Sequence, residues 1–231
     1  MGQRLGRYAL FILIFLLTAS ISACSINPEP KLQWYKTFGE GTDVYGGSVQ
    51  QTTDGGYVIF GRMFSWKTSP EGGAFIMKAD TNGNKLWDKV FGAEEGAFGQ
   101  SGQQTADGGS ILCGTIRKSE NIGGMWLIKT DANGDELWNK VLSGGRGNSV
   151  RQTTDGGYII CGRGDDHIKL IKTDAEGNLT WDKSFVGQYI DQGNSVQQTT
   201  DGGYIVCGWT RPLIDGWVVG KPNVWLIKTD S

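Results

Sequence analysis

The sequence predicts an all-β fold, a β-propeller of four blades with four antiparallel strands each, closed by the N-terminal strand completing the last blade. Three observations predict it. The first is repetition: Asp54-Gly55-Gly56-Tyr57 returns at Asp107, Asp155 and Asp201, with Ser110 replacing the tyrosine in the second copy. Two further anchors return with it. Phe75 to Asp80 recurs as residues 126–131, 169–174 and 225–230, and a tryptophan followed two positions on by lysine recurs at Trp34, Trp87, Trp138 and Trp181. Self-similar units of about 40 to 50 residues holding four short strands mark a propeller blade. The second observation is glycine, 37 of 231 residues beside only five prolines and without a G-X-Y period, which implies many tight turns. The third is phase. Residues 32–38 form an orphan strand of the fourth type, and the chain's last strand is of the third type, so pairing them closes a ring and removes an aggregation-prone edge.

The elements follow in chain order. Arg4 and Arg7 precede an apolar run from Tyr8 to Leu17 and then small residues, the plan of a secretory signal over residues 1–23. The run is too short for a hydrocarbon core that needs about 20 residues. Ile21-Ser22-Ala23-Cys24 resembles the lipobox of prokaryotic lipoproteins, which implies cleavage before Cys24 and acylation of its thiol. Two or more acyl chains give stable anchoring. Residues 24–31 are then a tether and residues 32–231 the repeat domain, with blades near 46–92, 99–143, 147–187 and 193–231, the last taking in residues 32–39. In the third unit, strand A is 147–153, strand B 158–162, strand C 169–173 and strand D 179–185. Thr154-Asp155-Gly156-Gly157 is a hairpin turn whose glycine supplies positive φ. The apolar spacing of three and four that helical repeats need is absent.

These units resemble a repeat found in many secreted and lipoprotein-type bacterial and archaeal proteins, with the pattern D-G-G-Y…W-L-I-K-T-D…G-N…W-x-K-x-F-G. The likeness covers residues 32–231. It implies a propeller-like extracytoplasmic domain and brings no catalytic residues with it. A fainter likeness to quinoprotein-type propellers rests on Asp131, Gly134 and Trp138, spaced one residue shorter than that pattern. Outer-membrane assembly lipoproteins share this blade type, which implies a scaffold role.

Charge narrows the function. With 22 basic and 24 acidic residues the chain is not a basic nucleic-acid binder, and nine tryptophans argue against disorder. The A–B and C–D turns share one end of each blade and are short. The B–C and D–A connections share the other end and vary, and variable loops on a rigid scaffold carry function. Arg62, Trp66, Arg117, Arg163, Asp165, Asp166, His167, Trp209, Arg211, Asp215 and Trp217 lie there and form the candidate binding face. Arg and Trp are favoured anchors, although the same side chains would also serve to pack their own loops.

Asp165-Asp166-His167 holds the sole histidine. It offers a general base or a metal ligand, but no second histidine exists, and a solvated charge cluster is the stronger reading. Asp131 to Asp135 reads as a turn cap rather than a calcium loop, which wants six to eight oxygens. Cys113, Cys161 and Cys207 share one strand-B slot with Phe60, so the slot is buried and apolar and disulfides between blades are not expected. Gln50, Gln103, Arg151 and Gln197 form a polar ladder suited to a central channel. No phosphate loop, nucleophile elbow or zinc-protease motif occurs, so no catalytic residue, metal or cofactor is expected. The expectation is a lipid-anchored module of the cell envelope, outside the cytoplasm, binding or scaffolding a protein or glycan. The alternatives are a glycan-active enzyme using Glu94, Glu95, Asp165, Asp166, His167 and Asp215, or a purely structural envelope component.

Overall fold

Each repeat is locked by its own side chains. The Asp54 carboxylate accepts the Gly56 N–H at 3.1 Å and the Thr52 hydroxyl, and its second oxygen meets Lys78 Nζ at 2.5 Å. Gly55 adopts φ +83°, and a Cβ on Gly56 would strike the Ala79 carbonyl, so the turn needs both glycines. The lock recurs as Asp107–Lys129 at 2.8 Å, Asp155–Lys172 at 2.8 Å and Asp201–Lys228 at 2.7 Å. Two of the recurring sequence anchors are therefore the halves of one ion pair. In the C–D turns, Asp80, Asp131 and Asp174 accept backbone N–H groups two or four residues on, the capping role expected of Asp131.

The computed structural model describes residues 29–65, 69–93, 95–118, 121–142, 144–187, 190–212 and 220–231. Among them are fifteen strands and no helix. The first sheet is β1 (Asp43–Gln51), β2 (Tyr57–Ser65), β3 (Ser69–Ala79) and β4 (Lys85–Phe91). The second is β5 (Phe98–Gln104), β6 (Ser110–Lys118), β7 (Asn121–Thr130) and β8 (Glu136–Val141). The third is β9 (Arg146–Gln152), β10 (Tyr158–Gly164), β11 (His167–Thr173) and β12 (Leu179–Phe185). The fourth is β13 (Ile190–Gln198), β14 (Tyr204–Arg211) and β15 (Asn223–Thr229). All pairings are antiparallel between sequence neighbours. Trp34–Ser231 is one compact unit, and the residues up to Gln33 belong to another.

The sheets stack in chain order, β2 against β5, β6 against β9 and β10 against β13. Three apolar cores fill the three junctions. Phe60 and Ile76 meet Leu112 and Ile128 in the first, Cys113 and Leu127 meet Val150 and Ile160 in the second, and Cys161 and Leu170 meet Val196 and Val206 in the third. The glutamine ladder staples these junctions. The Gln104 and Gln152 N–H groups donate to Gln50 and Gln103 Oε1 at 2.9 and 3.0 Å, and Gln104, Gln152 and Gln198 Oε1 accept turn amides of the preceding sheet.

This arrangement overturns the closed four-bladed propeller. The fourth sheet has three strands, and residues 32–38, expected to complete it, lie in no strand. The Trp34 ring packs edge-on against Tyr57 at 5.7 Å, as Trp138 does on Tyr158 at 5.9 Å and Trp181 on Tyr204 at 5.8 Å. The segment is thus packed on the first sheet and adds no strand to the fourth. Among the described residues no core joins the fourth sheet to the first. Val224 and Leu226 are 83% and 64% exposed where their counterparts Ile168 and Leu170 are fully buried. Cys207 is exposed for the same reason, while Cys113 and Cys161 are buried, and all three are free thiols. Closure depends on the rotation between successive sheets, and strand phase carries no information about that angle.

Candidate functional site

In each repeat the first strand carries one extra residue opposite the second strand's glycine, at Gly47, Gln100, Asn148 and Asn194. The glycine is required: a Cβ on Gly114 would run into the Phe98 carbonyl. Such bulges re-aim side chains at strand ends. Here two of the extra residues, Gln100 and Asn148, face a concavity of about 300 Å³ lined also by Arg62, Phe98, Thr115, Arg117 and Arg146. It lies on the variable-loop face, spanning the first three sheets.

Three guanidinium groups converge there from β2, β6 and the start of β9. Aromatic rings hold two of them. Arg62 lies over Tyr45 at 5.1 Å and Phe64 at 5.8 Å, and Arg117 over Phe98 at 5.1 Å. Tyr45, Phe64 and Phe98 are themselves in series, with centroids 6.1 and 5.5 Å apart. Among the described residues, the arginine paired with a carboxylate is Arg163, on Asp166, and none of the three pocket arginines has such a partner. The Arg62 Nε is buried and meets no acceptor. Unneutralised guanidinium groups around one polar hollow repel each other, and an oxyanion relieves this by accepting two parallel N–H bonds from a planar fork. Gln100, Asn148 and Thr115 add neutral hydrogen-bonding groups.

The other candidates separate from this pocket. Asp165 and Asp166 have φ of 49° and 65° and form the two-residue loop between β10 and β11, closed by the pair Gly164 and His167. Aspartate tolerates that left-handed backbone, so these residues build the turn, and Asp166 also binds Arg163. His167 faces a different carboxylate, with Nδ1 3.3 Å from Asp191 Oδ2. Asp191 is fully buried and accepts the Gly187 N–H at 2.7 Å. Arg211 lies over Trp209 at 5.5 Å, at the end of the fourth sheet. No group of three or more His, Cys, Asp or Glu that could hold a metal occurs among the described residues. Cys24, Trp66, Glu94, Asp215 and Trp217 lie outside the described residues.

Sequence reasoning missed Arg146 and Asp191, both on the D–A side. The signal for Arg146 is its repeat position: it aligns with Tyr45, Phe98 and Gln192, the residue before the bulge glycine of each first strand.

These features define an all-β protein of stacked antiparallel sheets with a basic pocket at one end of the strands. No family model matches the chain, and no curated protein does either. A solved structure, a protein of unknown function from Bacteroides caccae, is similar with a TM-score of 0.51 at 15% sequence identity over 83% of this chain. The chain spans 64% of that protein's length. A likeness at this identity shows the fold alone.

Proposed function

We propose that this protein is a lipid-anchored extracytoplasmic binding module that holds a protein or glycan through its variable-loop face, seating an acidic group of that ligand in the arginine pocket. One observation carries the reading: Arg62, Arg117 and Arg146 converge on a single hollow, two of them fixed on aromatic rings, with no carboxylate of the described residues to neutralise them. Charge-assisted hydrogen bonds are worth about 1.5–3 kcal/mol each. Prior stacking of the guanidinium planes reduces the side-chain entropy lost on binding. The lipobox-like Ile21-Ser22-Ala23-Cys24 supports the anchor.

The test is affinity capture from the native cell envelope with the full chain as bait, beside a variant carrying Arg62→Gln and Arg117→Gln. A Lys85→Gln bait controls for lost charge at the opposite end of the strands. A ligand retained by wild type and Lys85→Gln and lost by the double variant is the expected result. Equal capture by all three baits contradicts the pocket's role. For the anchor, Cys24→Ala moves the protein from the membrane to the soluble fraction, and unchanged fractionation refutes it.

A further inference from the structure

The second and third internal junctions are built to one plan, from which the first departs by Phe60 in place of the cysteine and Gly102 in place of the valine. Each preceding sheet contributes a face made from its second and third strands: Ile159, Cys161, Ile168 and Leu170 at the junction of the third and fourth sheets. The following sheet answers with a valine of its first strand and alternate residues of its second: Val196, Tyr204 and Val206 there, Val150, Tyr158 and Ile160 one junction earlier. A tryptophan of the preceding sheet's last strand then closes the junction, Trp181 on Tyr204 and Trp138 on Tyr158.

The molecule presents one unused copy of each half. At one end, the fourth sheet exposes Cys207, Val224 and Leu226 beside half-buried Ile205, and the four match Cys161, Ile168, Leu170 and Ile159 position for position. At the other end, the first sheet presents Val49, 66% exposed, with half-buried Tyr57 and Ile59, the counterparts of Val196, Tyr204 and Val206. The strand-edge halves match too. Among the described residues β15 has no fourth strand beside it, and Trp34 already sits on Tyr57 as the closing tryptophan of a junction for which they supply no preceding sheet.

We infer that a second copy of this chain docks its first sheet onto the fourth sheet of its neighbour, repeating the internal junction between molecules. The same docking brings residues 34–38 of the incoming copy alongside β15, where they supply the missing strand. Exposed apolar faces of this kind mark association sites, and a free strand edge is a ready template for pairing. Because the two faces differ, the contact is head-to-tail, and it closes into a ring or continues as a filament according to the rotation between copies.

The test is sedimentation of the full chain in nonionic detergent, with two surface variants chosen so that neither disturbs an internal core. Val49→Asp disables the first-sheet face, and Leu226→Asp disables the fourth-sheet face. Wild type is expected to sediment as a dimer or larger assembly, and each variant alone as a monomer. An equimolar mixture of the variants is expected to form a dimer, because each supplies the half that the other lacks. A monomeric wild type overturns the inference. Loss of assembly in one variant but not the other also overturns it, because a symmetric contact would then use a single face.

Discussion

Phe60 and Gly102 are a matched pair, and exchanging them tests how the junctions are packed. In the second and third junctions a cysteine of the second strand meets a valine of the next sheet, Cys113 with Val150 and Cys161 with Val196. In the first junction Phe60 takes the cysteine's place and Gly102 the valine's. A Cβ on Gly102 would lie 2.5 Å from Cε1 and Cγ of the Phe60 ring, against a carbon–carbon optimum of about 3.5–4.0 Å. Gly102→Val therefore overpacks a fully buried ring and is expected to cost about 1–3 kcal/mol. Phe60→Cys leaves a void, and truncating a buried aromatic costs about 3–5 kcal/mol. The double variant rebuilds the cysteine–valine pair of the other junctions, so it should be more stable than the sum of the two by about 1 kcal/mol or more, within the usual range for coupled neighbours. The assay is urea unfolding of the full chain followed by tryptophan fluorescence. Strict additivity of the two changes would refute the packing argument.

Other consequences are open to direct measurement. Hydrogen bonds from Lys172 and Thr153 hold the Asp155 carboxyl down at about 2, against an ordinary 3.8. A depressed folded pKa stabilises above the ordinary value, and this contribution is lost as pH falls from about 4 through 2. Asp155 is largely exposed, so its contribution is under about 1 kcal/mol; Asp155→Asn should flatten that part of the acid-unfolding curve, and an unchanged curve would dismiss the lock. Burial pushes the Cys113 thiol up to about 12, so maleimide should label Cys207 in the folded Val49→Asp monomer and leave Cys113 and Cys161 unmodified. Labelling of all three at similar rates would contradict the described burial. Asp166→Gly gives up the Arg163 ion pair but relieves a left-handed backbone, and thermal unfolding should shift by less than the equivalent of about 1 kcal/mol. A large loss would mean that this aspartate does more than form a turn.

Much of the local structure was legible because each repeat states it again. Leu179–Phe185 and the start of Tyr158–Gly164 fall where strand alternation and the D-G-G turn place them. The slot shared by Phe60, Cys113 and Cys161 is buried as substitution by phenylalanine implied, and Cys207 departs from it because no sheet covers the fourth. The ladder of Gln50 and Gln103 was visible as a pattern, but its partners were not: the side-chain oxygens accept the Gln104 and Gln152 N–H groups of the next sheet, a partnership set by stacking rather than by spacing. Closure failed for a related reason: Trp34 packs on Tyr57 as a strand-D tryptophan should, yet its segment pairs with no strand of the fourth sheet, and strand order does not encode the rotation between sheets on which closure depends. In the candidate site, Arg62 and Arg117 were recognisable from their place after strand B. Arg146 was not, because its loop precedes a first strand and its neighbours in the pocket come from two other sheets. The Lys–Asp locks were legible in principle, since both partners recur four times in fixed places.

Arginine-selective labelling with phenylglyoxal, mapped by mass spectrometry, tests the pocket without altering a residue. In the purified protein Arg62, Arg117 and Arg146 should all react. In the native cell envelope the three should be protected together, and high salt should restore their reactivity as the ligand's acidic group is displaced. Equal reactivity of the three in envelope and purified protein, at every salt concentration, would contradict an occupied anion pocket.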